Sequence, residues 1–256
     1  MPIGISTLCT IGKTFQIINE LTSIGIEILE ILDDWEDKLT KSKIKILNEI
    51  KNTTNIKYTV HSPILDINIA ASNDSIRKTS IKIIMNSMEM ANAINAEIFV
   101  IHPGLSTPLE NIVPNLNRYL NIESLRKILD YGEDLGIKVA IENMPAGTRC
   151  FLQNVEEFHE LIENGLSPDI VLDVGHANTS SQLEKFLIEF KDRIIHLHLH
   201  DNYGIEDEHR VIGDGNVNWQ LIKSKFSLNS IYAVVENNTL NDAILSYKKA
   251  LQLFKS

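Results

Sequence analysis

At 256 residues, 43% of them hydrophobic, the chain is long enough to bury one large core without disulfide staples. Its formal charge of −10 leaves no broad basic footprint for nucleic acid, and no run approaches the roughly 18 apolar residues of a membrane span. Cys9 and Cys150 have no metal-finger spacing and suit a reducing cytoplasm, the expected location.

The predicted elements alternate strand and helix without a linker, so residues 1–256 read as one domain. The N-terminus MPIGISTLCTIGK reads as a first strand, IGIST (3–7), rather than a signal peptide. A helix over about 13–24 follows, then IEILEIL (26–32) and a helix over 38–52. KYTVH (57–61) is the third strand, and a loop leads to a helix over 74–95 with Asp74 as its expected N-cap. IFVIH (98–102) precedes a helix over 115–136 that Gly136 ends, and KVAIE (138–142) precedes one over 154–164. DIVLD (169–173), a helix over 181–191, IIHLHLH (194–200) and a long polar loop (201–216) come next. A short helix (217–226), IYAVVE (231–236) and a helix over 240–254 complete eight β/α units. Short Ile/Val-rich strands alternating with helices predict an α/β fold, a single closed (β/α)8 TIM barrel. No Gly-x-Gly-x-x-Gly follows the first strand, which argues against an open dinucleotide-binding sheet.

Six of these runs end on a metal-liganding side chain: His61, His102, Glu142, Asp173, His198 and Glu236. In such barrels the C-terminal strand ends carry the chemistry, so the six are expected to converge. Alternation in IIHLHLH puts His196, His198 and His200 on one face. His198 is the expected ligand, His196 a deeper core histidine, and His200 a rim residue supporting the site or touching substrate. Asp173 and His176 lie three apart in LDVGHAN, and Asp207 and His209 two apart in EDEHRVIGDGN, where Gly213 and Gly215 allow a tight turn. Imidazole and carboxylate without thiolate suit a divalent ion such as Zn²⁺, Mn²⁺, Co²⁺ or Fe²⁺.

The stretches HSPILDINIA, VIHPG, AIENMP, LDVGHAN and HLHLHDN…DEHRVIGDGN resemble the xylose isomerase-like TIM-barrel superfamily across nearly the whole chain. That resemblance implies one of two chemistries. The tagatose 3-epimerase-like branch holds one divalent metal on two Glu, an Asp and a His, matching Glu142, Asp173, His198 and Glu236. There Glu142 and Glu236 would exchange a proton beside a metal-polarised carbonyl, and His176 would hold a substrate oxygen. The endonuclease IV branch holds three zinc ions and cleaves the phosphodiester at abasic sites. Its matching sets are His61, His102 and Glu142; Glu142, Asp173, His198 and Glu236; and His176, Asp207 and His209.

The loops separate the branches. The nuclease carries an Arg-bearing insertion after strand 2 and a Tyr three residues after the strand-3 His; here stand DDWEDK and Ile64. The rim loops offer only Lys38, Arg149 and Arg210 for phosphates. Ketose epimerases carry a further Glu and Arg where this chain has Thr148 and Gly204, so their sugar specificity does not transfer. Trp35 is a candidate to stack on a sugar, and Arg149 and Arg210 are candidates to grip a substrate phosphate. The expectation is a sugar or sugar-phosphate isomerase/epimerase using one to three divalent ions (Zn²⁺ or Mn²⁺, with Co²⁺ possible). An abasic-site endonuclease is the alternative; a membrane partner is not expected.

Overall fold

Eight parallel strands close on themselves in sequence order in the computed structural model, which describes residues 1–226 and 231–255. They are β1 (Ile3–Ser6), β2 (Ile28–Leu32), β3 (Lys57–His61), β4 (Phe99–Ile101), β5 (Val139–Glu142), β6 (Asp169–Asp173), β7 (Ile194–Leu199) and β8 (Tyr232–Val235). β1 closes the barrel by pairing with both β2 and β8. The predicted (β/α)8 barrel is therefore the observed fold. Among the described residues the helices are α1 (Thr14–Ser23), α2 (Lys41–Thr53), α3 (Asp74–Ala93), α4 (Leu116–Leu135), α5 (Val155–Glu163), α6 (Val174–Thr179), α7 (Leu183–Glu189), α8 (Trp219–Lys225) and α9 (Leu240–Lys255). None is long and apolar enough to cross a membrane.

Alternation along each strand sorts the side chains into two populations. Outward residues such as Ile5, Leu29, Tyr58, Phe99, Ile141 and Leu172 join the helix faces in one continuous apolar layer. Inside the barrel a much smaller cluster, Ile98, Val100, Ala140 and Val171 against Ile195 and Tyr232, fills the lower half. Above that floor the interior becomes polar, and the inward positions are Glu30, Thr59, His61, Glu142, Asp173, His196 and His198, all buried. In β7 the register shifts: Ile194 pairs with Ile170 but His196 pairs with Val171, so Ile195 is an extra residue. Beyond that shift His198 is level with Asp173.

Two local expectations need correction. Asn73, not Asp74, caps α3: its side chain accepts from the amides of Ser75 and Ile76, while Asp74 opens the helix and pairs with Arg77 and Lys78. The predicted helix over 181–191 is two pieces, α7 and a 3₁₀ turn at Lys191–Arg193. An unpredicted short helix, α6, starts directly at β6, because the Asp173 carboxylate accepts the His176 amide at 2.7 Å and caps it. Gly136 ends α4 as predicted, at φ 70°.

Candidate metal centre

The C-terminal mouth gathers the nine side chains expected as ligands into contiguous groups that could each hold an ion. His61 Nε2, His102 Nε2 and Glu142 Oε2 lie 3.1–3.2 Å from one another. The other oxygen of Glu142 faces a second group: His198 Nδ1 is 3.3 Å from Glu142 Oε1, 3.5 Å from Glu236 Oε2 and 3.9 Å from Asp173 Oδ2. In a third group Asp207 Oδ2 lies 3.1 Å from both His176 Nε2 and His209 Nε2. Within each group the liganding atoms are within 4.8 Å of one another, the span of one coordination sphere.

Backbone carbonyls orient three of the imidazoles. Nδ1 of His61 lies 2.9 Å from the Ser62 carbonyl, Nδ1 of His176 2.8 Å from that of Asn143, and Nδ1 of His209 2.9 Å from that of Glu236. Each carbonyl can only accept, so Nδ1 carries a proton and Nε2, which faces the cluster, is the nitrogen that can offer a lone pair to an ion. His209 adopts a left-handed φ of 51°, a backbone cost that keeps its ring in the group. Gly213 takes φ 83°, and a side chain at Gly215 would collide with the Asn202 carbonyl, so both glycines of that loop are needed for its return.

His200 is not a rim residue. It is fully buried, with Nε2 3.0 Å from Asp173 Oδ1 and its ring stacked on His209 at 4.0 Å, and it joins His176, Asp207 and His209 as a fourth potential donor. α6 leaves it room: a Cβ at Gly175 would lie 2.5 Å from His200 Nε2 and closer still to its neighbours in the ring. Trp35 stands 63% exposed on the β2–α2 turn, over Gly12, outside every donor group. Asp34, from the same turn, accepts the amides of Trp35, Ile64 and Leu65. Arg149 is exposed. Arg210 is engaged by Glu208 at 3.3 Å and the Asp214 carbonyl at 3.2 Å, with its guanidinium over Tyr203.

Several observations fit a cation. His198 Nδ1, His200 Nδ1 and Asp207 Oδ1 are buried and make no hydrogen bond, which is costly unless something else satisfies them. The protonation pattern agrees. Burial opposes charge on His61, yet Glu142 and then Glu30 and Glu236 outweigh it and raise its pKa to about 9. Burial likewise opposes His176 and His209, but Asp173 and Asp207 lift the first to about 10, and Asp207 chiefly lifts the second to about 9. Burial pushes Glu236 upward, but His198 overcomes this and brings it down to about 2. Without a metal, His61, His176 and His209 hold protons where a cation would sit, while burial keeps His102 more readily neutral, and a divalent ion would displace those protons.

Comparison with known proteins places this geometry in a lineage. The model of the family described as xylose isomerase-like TIM barrel matches residues 18–255. The chain belongs to that family. Within it, the uncharacterized protein MJ1311 of Methanocaldococcus jannaschii is 30% identical over 96% of this chain and 87% of its own. The probable endonuclease 4 of Halothermothrix orenii is 29% identical over 80% of this chain and 81% of its own. The fructoselysine 3-epimerase of Escherichia coli O157:H7 is 25% identical over 68% of this chain and 64% of its own. Among solved structures, a D-tagatose 3-epimerase-like protein superposes with a TM-score of 0.91 at 27% identity, covering 100% of this chain and 97% of that one. A zinc-bound IOLI protein shares the fold at 18% identity and a TM-score of 0.77, over 100% of this chain and 95% of that one. The family thus spans sugar epimerases and endonucleases.

One buried acid escaped the sequence reading. Glu30, in the middle of β2, is fully buried beside His196 and His198. The signal was available: a glutamate inside the apolar run ILEIL, on the inward face that alternation shares with Leu32, is expensive to bury without a purpose.

Proposed function

We propose that the chain is a divalent-metal-dependent sugar or sugar-phosphate epimerase or isomerase that moves a proton on carbon next to a carbonyl. The observation that carries this reading is the pairing of Glu142 and Glu236 around His198 Nδ1, at 3.3 and 3.5 Å. Two carboxylates from well-separated strands, β5 and β8, can address two sides of one bound carbon. A divalent ion held by Glu142, Asp173, His198 and Glu236 would polarise the carbonyl and a neighbouring hydroxyl of the sugar. Glu142 then removes the proton as general base, and Glu236 returns one from the other side as general acid. The Ser6 hydroxyl donates to Glu236 Oε1 at 3.2 Å and fixes its aim. The surroundings support a small polar substrate. The acidic turn DDWEDK and the engaged Arg210 leave few cations for a polyanion, and exposed Trp35 offers an apolar platform.

A second reading, phosphodiester cleavage at abasic DNA sites, is favoured by one observation: of the four candidate donor groups among the described residues, three lie together at the mouth, with Glu142 shared between two of them. Two assays divide the readings. Candidate ketoses and their phosphates in deuterated water should take up deuterium beside the carbonyl, and Glu142→Gln should abolish this. Incision of a duplex bearing one abasic site, lost in Glu142→Gln, would overturn the epimerase reading.

A further inference from the structure

We infer that Glu30 is a positioning residue for His198, holding its proton on Nε2 so that Nδ1 is the nitrogen offered to the ion. The inference rests on the reading that Glu142, Asp173, His198 and Glu236 hold a divalent cation.

Glu30 has no part in the proposed chemistry. It lies below the carboxylates of the mouth, with no exposed surface. An ionised carboxylate so placed is costly unless partnered. Its Oε2 accepts from the Thr59 hydroxyl and from His196 Nε2, both at 2.9 Å. Its Oε1 makes no hydrogen bond, and 3.1 Å away stands His198 Nε2, which makes none either. Two unsatisfied buried atoms at that separation are a small ring rotation short of a bond. With the proton on Nδ1, two acceptors would confront each other there, and the lone pair needed by the ion would be blocked. With the proton on Nε2, Glu30 is satisfied and the Nδ1 lone pair points at three carboxylates.

The neighbouring histidines sharpen the point. His61, His176 and His209 each place Nδ1 against a backbone carbonyl and turn Nε2 inward. His198 is reversed, and no carbonyl bonds its outer nitrogen among the described residues. Glu30 takes that place with a full charge, which also makes the imidazole a stronger donor to the metal.

Glu30→Gln tests this with little change of shape. Thr59 and His196 both donate to one oxygen, which favours the amide oxygen there and leaves its NH₂ facing His198. That NH₂ needs an acceptor on Nε2, which sends the proton to Nδ1, the wrong side. Zinc and cobalt affinities would be measured by chelator competition, together with the cobalt absorption spectrum, the melting temperature and long-range ¹H–¹⁵N spectra of the histidine rings. In zinc-loaded wild type we expect His198 with metal on Nδ1 and a proton on Nε2. Glu30→Gln should bind about 10–100-fold more weakly, with an altered cobalt spectrum. Thr59→Val, which disturbs the same layer but leaves Oε1 in place, should bind nearly as wild type. Equal affinity in Glu30→Gln, or an equal loss in Thr59→Val, overturns the inference and leaves the metal site standing. Metal on Nε2 of His198 in the wild type does so even if Glu30→Gln fails to fold. Wild type that takes up neither zinc nor cobalt overturns the metal reading and this inference together.

Discussion

Replacing Gly175 by alanine adds one methyl group at the point where α6 passes His200. The new Cβ would stand 2.5 Å from His200 Nε2, so the ring must retreat by at least about 1 Å to reach ordinary contact. It has little freedom to do so: Asp173 holds Nε2 at 3.0 Å and the His209 ring is stacked at 4.0 Å. Overpacking of this kind costs about 1–3 kcal/mol. In a chain of this size that lowers the melting temperature by roughly 2–12 °C. The control is His200→Ala, which removes the obstacle. In that background Gly175→Ala should be neutral or should stabilise by up to about 1 kcal/mol, because alanine is the better helix former. The four proteins, melted in chelator so that metal binding does not intervene, form a double-mutant cycle with an expected coupling of at least about 1 kcal/mol. Additive effects within error would refute the claim that the glycine is there for the histidine.

Stripping metal should lower the melting temperature by about 5–10 °C relative to protein in excess zinc, since a ligand at a hundred times its Kd adds about 2.7 kcal/mol; identical melts would count against a metal centre. Asp33 is buried, which raises its carboxyl to about 6 despite bonds from the Leu39 amide and the Ser87 hydroxyl. The folded state therefore binds the proton more tightly than the unfolded chain, and stability is lost as pH rises from about 4 through 6. Asp33→Asn should be about 1–3 kcal/mol more stable than wild type at pH 7, with the gap closing by pH 4 in denaturant titrations. Trp35→Ala should raise KM roughly 3–10-fold for a sugar substrate while kcat and melting stay unchanged; an unchanged KM removes Trp35 from the binding surface.

The barrel was legible because each strand is a short apolar run closed by a polar residue, and parallel strands admit few other arrangements. The inner donors were legible for the same reason: His61, Glu142 and Asp173 end strands, and period-two alternation fixes their face. What escaped depended on pairing between distant segments. Glu30 stands out as a costly acid within ILEIL, but its partners Thr59 and His196 come from other strands, and only the fold sets them beside it. Strand position alone puts His200 at the rim, because it does not show that α6 folds over it. α6 itself was hidden, since VGHANT contains Gly, Asn and Thr, poor helix formers, and starts only because Asp173 caps it.

The two oxygens of Glu142 face different donor groups, Oε2 toward His61 and His102, Oε1 toward His198. Ions in the two groups would then be neighbours through a single carboxylate, and their mutual repulsion would fall on the second arrival. Loading should proceed in steps of falling affinity, making the number of ions a function of supply. One frame would then carry different ion complements with no change of sequence, set by the free metal around it.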